Sequence, residues 1–149
     1  MPTTYRLDLV NRVVYSRAWG VARDEEFEAH SRSLGADRRF APDFRQLQDL
    51  VDVTEPRVTP AGLRRVAEAN PFGKNARRAV LVASDIAFGF ARMHEMMRGD
   101  AGDELQVFRD RAAALAWLGL PADWIPPAAS SADPVFEGEP MSGTGDPTA

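Results

Sequence analysis

A chain of 149 residues, 44% of them hydrophobic, has the material for one continuous core, and a second domain is not expected at this length. With no cysteine, disulfides, thiolate zinc sites and cysteine nucleophiles are excluded, and a reducing compartment is favoured. The net charge of −4 is uneven: Arg111 is the last basic residue, and Asp123, Asp133, Glu137, Glu139 and Asp146 follow it, which leaves a body near +1 and a tail near −5.

A nearly neutral body lacks the field that nucleic-acid binding requires, and an acidic tail repels phosphate further, so no nucleic-acid partner is expected. The segment after Met1 has no apolar signal core, and no apolar run approaches the roughly 18 residues of a membrane span. A cytoplasmic protein without an integral membrane segment is the expectation. Lys74 is the only lysine among 18 basic residues, a bias that speaks of a GC-rich bacterial source and not of function.

In chain order, Tyr5, Leu7 and Leu9 alternate with polar neighbours, and after Asn11-Arg12 the alternation resumes from Val13 to Trp19, which predicts a β-hairpin ending at Gly20. Asp24 is placed to cap a helix with Glu25 and Glu26 in its first turn, Phe27, His30 or Ser31, and Leu34 on its inward stripe, and a stop at Gly35. After Pro42, Phe44 to Val53 reads as a strand. Thr59-Pro60 is a helix start, with the hydroxyl at the cap and proline in the first turn, and Leu63, Val66 and Ala67 point inward before Asn70-Pro71 ends the helix.

The continuous apolar run Ala79 to Ala83 has the look of a strand covered on both faces and is the expected middle of the sheet. Ser84 or Asp85 caps a third helix with Ile86, Phe90, Met93 and Met97 at helical spacing, widened by Phe88 and Met96 and ended by Gly99. Gly89 is expected to let that helix lie close to the sheet, since glycine inside a helix costs about 1 kcal/mol relative to alanine. Leu105 to Phe108 forms the last strand, and Asp110 caps a helix through Ala114, Leu115 and Leu118 that Gly119 and Pro121 end.

The order ββαβαβαβα has one dominant solution. It is an α/β fold with a mixed, mainly parallel sheet, opened by the hairpin and carrying its helices against the sheet. The expected domain is 1–125. Residues 126–149, rich in Pro, Gly and Ser and acidic, lack the apolar payload to offset ordering and are expected to be a disordered tail, with Val135-Phe136 as the only apolar anchor. The outer edge of the hairpin is free either to pair with a second copy, giving a homodimer, or to be covered.

The chemistry-bearing residues do not assemble into a catalytic motif. His94-Glu95 opens like the zinc-protease motif, but the fifth position is Arg98, so the second ligand is missing and His94 reads as a solvent-facing helix residue. Gly73-Lys74 lacks both the first glycine and the following hydroxyl of a phosphate-binding loop. Asp49 and Asp52 stand near a strand end, where α/β folds put ligand groups, with no third carboxylate at a recognisable spacing. No catalytic residue, metal or cofactor is expected. Met93, Met96 and Met97 beside Phe88 and Phe90 read first as core, with part of that face left over for a partner.

Taken together, Trp19-Gly20 before an acidic helix start, Phe44-Arg45-Gln46-Leu47-Gln48-Asp49, Ala79 to Ala83, Phe88-Gly89-Phe90-Ala91-Arg92-Met93, and Val107-Phe108-Arg109-Asp110 followed by Ala114-Leu115-Ala116-Trp117-Leu118 carry a family resemblance. Over roughly Tyr5 to Leu120, the chain resembles the small bacterial SpoIIAA-like domains, grouped with STAS and Sec14-type lipid-binding proteins. The resemblance implies an STAS-like fold and a non-enzymatic, regulatory protein-interaction module of the anti-sigma-factor-antagonist type; its Sec14 side implies instead a domain for a small apolar molecule or lipid. In the antagonists a hydroxyl at the start of a helix is phosphorylated. Here the positional match is Thr59, with Thr54 the poorer one, and the Asp-Ser-Gly type signature is absent. The expected partner surface is Phe88, Arg92 and Met96.

Overall fold

A computed structural model of the chain describes residues 3–98 and 102–137. The hairpin pairs β1 (Thr3–Asp8) antiparallel with β2 (Val13–Arg23). Then follow α1 (Asp24–Ala36), β3 (Arg45–Arg57), α2 (Pro60–Glu68), β4 (Arg77–Leu81), α3 (Asp85–Met97), β5 (Glu104–Phe108), α4 (Arg111–Leu118) and a short β6 (Val135–Phe136). The sheet order is β5-β4-β3-β2-β1-β6, with β2 to β5 mutually parallel and β1 antiparallel to both of its neighbours. The mixed, mainly parallel α/β fold read from the order of elements is the fold observed.

Alternation along the strands sorts the core into two layers. Val13, Tyr15, Leu47, Ala79 and Leu81 meet Ala114, Leu115 and Leu118 of α4 on one face, closed by Leu120 and Trp124. On the other, Val14 and Tyr5 meet Leu34 of α1, Val80 and Leu105 meet Ala87 and Ala91 of α3, and Ala18, Ala22 and Val53 pack beside Phe27. The caps at Thr59, Ser84 and Asp110 are as expected: their side chains accept from the backbone N–H of Gly62, Ala87 and Ala113. Gly119, with φ of 75°, ends α4 in the left-handed conformation that glycine adopts without strain.

Several boundaries differ, each for a tertiary reason. β2 runs past Gly20 to Arg23, and β3 past Val53 to Arg57, because the two strands extend each other through a bulged parallel register up to Arg23 and Arg57. The Ala79–Ala83 strand is not the middle of the sheet. It is covered on both faces, as its composition demanded, yet only β5 lies outside it, and β2 and β3 hold the centre. The buried residues of α3 are Ala87 and Ala91, with Phe90 of the expected stripe half-buried beside them; Ile86, Met93 and Met96 are 65%, 39% and 75% exposed. Small residues face the sheet there because β3 to β5 already fill that layer with Leu50, Val80 and Leu105. Gly89 is not a close-approach glycine: a Cβ at that position would have nothing within 4 Å. Gly99, expected to end α3, lies outside the described residues.

The close approach is at Gly62 instead. Asp24 is the first residue of α1 and not its cap, which is Arg23. Its buried carboxylate accepts from the Thr59 N–H at 3.1 Å and from the Thr59 hydroxyl at 2.8 Å, which ties the start of α1 to the start of α2. A Cβ on Gly62 would overlap that carboxylate. Because hydrogen bonds hold Asp24 in place, Gly62→Ala is expected to cost about 2 kcal/mol. Urea denaturation of G62A, D24A and the double variant checks this: the double variant should lose less than the sum of the two, and strict additivity would show that the two residues do not meet.

Packing does not stop at 125. Trp124 is buried and its Nε1 donates to Asp8 Oδ2 at 2.9 Å, Arg6 Nη1 donates to the Pro127 carbonyl at 2.6 Å, and the Thr4 hydroxyl donates to the Pro134 carbonyl at 2.5 Å. β6 then pairs with Thr3 and Thr4 of β1. Phe136 stacks on Tyr5 with ring centroids 6.2 Å apart and presents its ring to His30 at 6.1 Å. A single aromatic anchor and a waiting sheet edge hold a segment whose average composition argued for disorder. The rest of the expected tail, 138–149, lies outside the described residues.

Candidate functional site

The sheet face that carries α1, α2 and α3 is not filled by apolar side chains alone. The same alternation that sends Ala79 and Leu81 to α4 sends Arg78 to the opposite face, beside Gln46 of β3. Arg78 is 6% exposed and Gln46 1%. Arg78 Nε donates to Gln46 Oε1 at 2.8 Å, which leaves the Gln46 amide nitrogen to donate to Ser16 Oγ at 2.9 Å. Ser16 in turn shares a 2.8 Å hydrogen bond with His30 Nε2. A polar row thus crosses β2, β3 and β4 from His30 to Arg78, each buried group satisfied by the next.

At its far end, Arg78 Nη1 donates to Asn70 Oδ1 at 3.2 Å and Asp103 Oδ2 at 3.1 Å, while Arg98 Nη2 donates to Asp103 Oδ1. The Asp103 side chain has no exposed surface. Two guanidiniums therefore share one buried carboxylate. The Arg78 guanidinium also lies over the Phe72 ring at 4.5 Å. Burial lowers Arg78 to about 10, still charged at neutral pH.

Above this row is a cavity of about 80 Å³ between the sheet and α1, α2 and α3. His30, Gln46, Gln48, Arg78 and His94 form its polar end, and the walls are apolar, with Phe27, Leu50, Val53, Leu63, Val66 and Phe90 among them. His94 is not a solvent-facing helix residue: it lines the cavity, and its Nδ1 is buried without a hydrogen-bond partner among the described residues. Alanines at 87 and 91 bring α3 down on the sheet, and the same approach carries His94, one turn further on, toward Arg78. Burial, reinforced by repulsion from Arg78, lowers His30 to about 3 and His94 to about 4, so both are neutral at pH 7.

The expected site residues fall elsewhere. Thr59 donates to Asp24 and accepts from Gly62, so a phosphate there would replace the donor and set a dianion beside the Asp24 carboxylate. Thr54 is exposed on β3. Phe88 is half-buried under the Arg109 guanidinium, 5.6 Å from its ring, Arg92 pairs with Glu95 at 3.4 Å, and Met96 is free on the outside of α3. Asp49 and Asp52 are held apart by separate partners, accepting from the Tyr15 hydroxyl at 2.7 Å and Arg17 at 2.9 Å.

No family model matches the chain. No curated protein matches it either. In structure the chain is similar to an uncharacterized protein of the DUF3478 family from Shewanella loihica PV-4, with 17% identity over 71% of this chain and 83% of that one and a TM-score of 0.47. That protein is described as having a SpoIIAA-like fold.

Gln46, Arg78, His94 and Asp103 are not legible as a group in the sequence. A charged residue just before the apolar run of β4 looked like its polar end, and only the strand register puts it opposite Gln46. The one available signal was the interruption of Phe44 to Val53 by Gln46 and Gln48, both of which point into the cavity lining. Among the described residues no helix is long and apolar enough to cross a membrane.

Proposed function

We propose that the domain is a non-catalytic binding module that admits a small ligand to the cavity between its sheet and α1, α2 and α3. The observation that carries this is the partly open cavity itself, walled by Phe27, Leu50, Leu63 and Phe90 and ended by a buried polar row. Interiors are close-packed, so a cavity spanning three helices and three strands is a feature that packing alone does not require. A catalytic reading of the Ser16 and His30 pair is not supported. Ser16 is 2% exposed and held by Gln46, and a histidine with a pKa of about 3 is a weak base at neutral pH.

The reading as a regulatory protein-interaction module rests on a different observation. Ile86, Met93 and Met96 leave an apolar strip on the outside of α3, the helix whose inner side lines the cavity through Ala87, Phe90, Ala91 and His94. A ligand below α3 would alter what α3 presents above.

The test is thermal denaturation of the full chain against a panel of small neutral and charged apolar molecules, with native mass spectrometry of the purified protein. A ligand present at 100 times its Kd stabilises by about 2.7 kcal/mol, which raises Tm by several degrees. Ala91→Phe, which places a ring where α3 meets the cavity, should abolish the shift. If no compound shifts Tm and nothing co-purifies, the cavity is not a binding site.

A further inference from the structure

The cavity's polar end is chemically one-sided. In the row from His30 to Gln46 each side chain is hydrogen-bonded to the next, whereas two nitrogens beyond it make no hydrogen bond among the described residues. Arg78 uses Nε on Gln46 and Nη1 on Asn70 and Asp103, and its Nη2 has no hydrogen bond among the described residues. His94 Nδ1, lining the same cavity, is the second. The His94 atom is buried, and a buried polar atom without a partner is rare in native proteins and calls for an explanation. Among the described residues the carboxylate in contact with Arg78 is Asp103, which is shared with Arg98. Glu95, the other acid near Arg98, forms an ion pair with Arg92 at 3.4 Å, and its buried Oε1 makes no hydrogen bond among the described residues. The two neutral histidines bring no charge, so the charge at this end of the cavity is that of Arg78, and the His94 ring can donate from Nδ1 in one of its two tautomers.

We propose that the cavity takes a small monocarboxylic acid, its carboxylate on Arg78 Nη2 and His94 and its apolar chain between Leu50, Leu63, Val66 and Phe90; this rests on the reading of the cavity as a binding site. A guanidinium fork matches a carboxylate in geometry and charge, and a desolvated arginine with a free nitrogen favours such a partner over a neutral one. About 80 Å³ equals the share of on the order of three water molecules, which fits a headgroup and a few carbons and excludes a long acyl chain held wholly inside.

The experiment is isothermal titration calorimetry of the full chain with sodium butyrate, butyramide and 1-butanol, followed by the same titrations on Arg78→Met and His94→Gln. Butyrate should bind at least tenfold more tightly than butyramide. R78M should lose that preference while still binding 1-butanol, and H94Q should weaken butyrate severalfold. Equal affinity for the acid and the amide would overturn the carboxylate assignment and leave the binding site standing. No binding by any of the three would overturn both. If R78M does not fold, as judged by its circular dichroism, the acid-to-amide ratio of the wild-type protein and the H94Q titration decide.

Discussion

Asp103→Ala destabilises the domain by about 3–5 kcal/mol, because it leaves two buried guanidiniums without their common counter-charge. The Arg78 and Arg98 side chains are 7% and 5% exposed, and both reach the same carboxylate. Neither can swing to water without opening the layer between α3 and the sheet. Asn70 and Gln46 remain as neutral acceptors for Arg78, so the loss should be smaller for Asp103→Asn, which keeps an acceptor oxygen in place. Urea denaturation measures both. A cost below about 1 kcal/mol for D103A would show that neutral acceptors suffice and that the carboxylate is dispensable.

Acid unfolds the domain in a window above the ordinary carboxylate range. His30 is lowered from 6.5 to about 3 and His94 from 6.5 to about 4, in both cases chiefly by burial. A histidine with a folded pKa below its unfolded one binds its proton first in the unfolded chain. Its contribution is therefore intact above about pH 6.5, shrinks as pH falls, and is gone below the folded pKa. From about pH 7 to about pH 5 the loss is roughly 2 kcal/mol per histidine. The lowered carboxylates Asp8, Asp37 and Asp43 start from 3.8 and titrate below this window. Denaturant midpoints at several pH values for wild type and for His30→Gln, which keeps a polar group toward Ser16, test the assignment. If H30Q shows the same pH slope as the wild type, His30 is not the group responsible.

Both effects reside in a polar layer that no motif announces. The hairpin, the caps at Thr59, Ser84 and Asp110 and the stop at Gly119 are local devices, each set by a few adjacent residues, and local devices are legible in one dimension. The face of α3 is legible only in part: of the regular stripe Ile86, Phe90, Met93 and Met97, Phe90 does turn to the cavity, whereas Ile86 and Met93 are exposed. The sheet, already carrying Leu50, Val80 and Leu105, selected the alanines at 87 and 91 instead. Val135-Phe136 was read as an isolated pair among acids, and the ordering of that segment depends on Tyr5 and the free edge of β1, more than a hundred residues away.

The first impression of a neutral, cysteine-free α/β domain came from composition and period, and these need no partner in space: alternation makes strands, a 3.6 repeat makes helices, and their order leaves one dominant sheet arrangement. What the tertiary structure alone decided is where the polar residues go. Arg78, Gln46, His94 and Asp103 are ordinary surface residue types along the chain. The β3–β4 register, the descent of α3 onto two alanines and the meeting of Asp103 with Arg78 and Arg98 bury them together at one end of a cavity. Hydrogen-bond satisfaction and charge pairing across distant segments are properties of proximity, which a linear pattern does not encode.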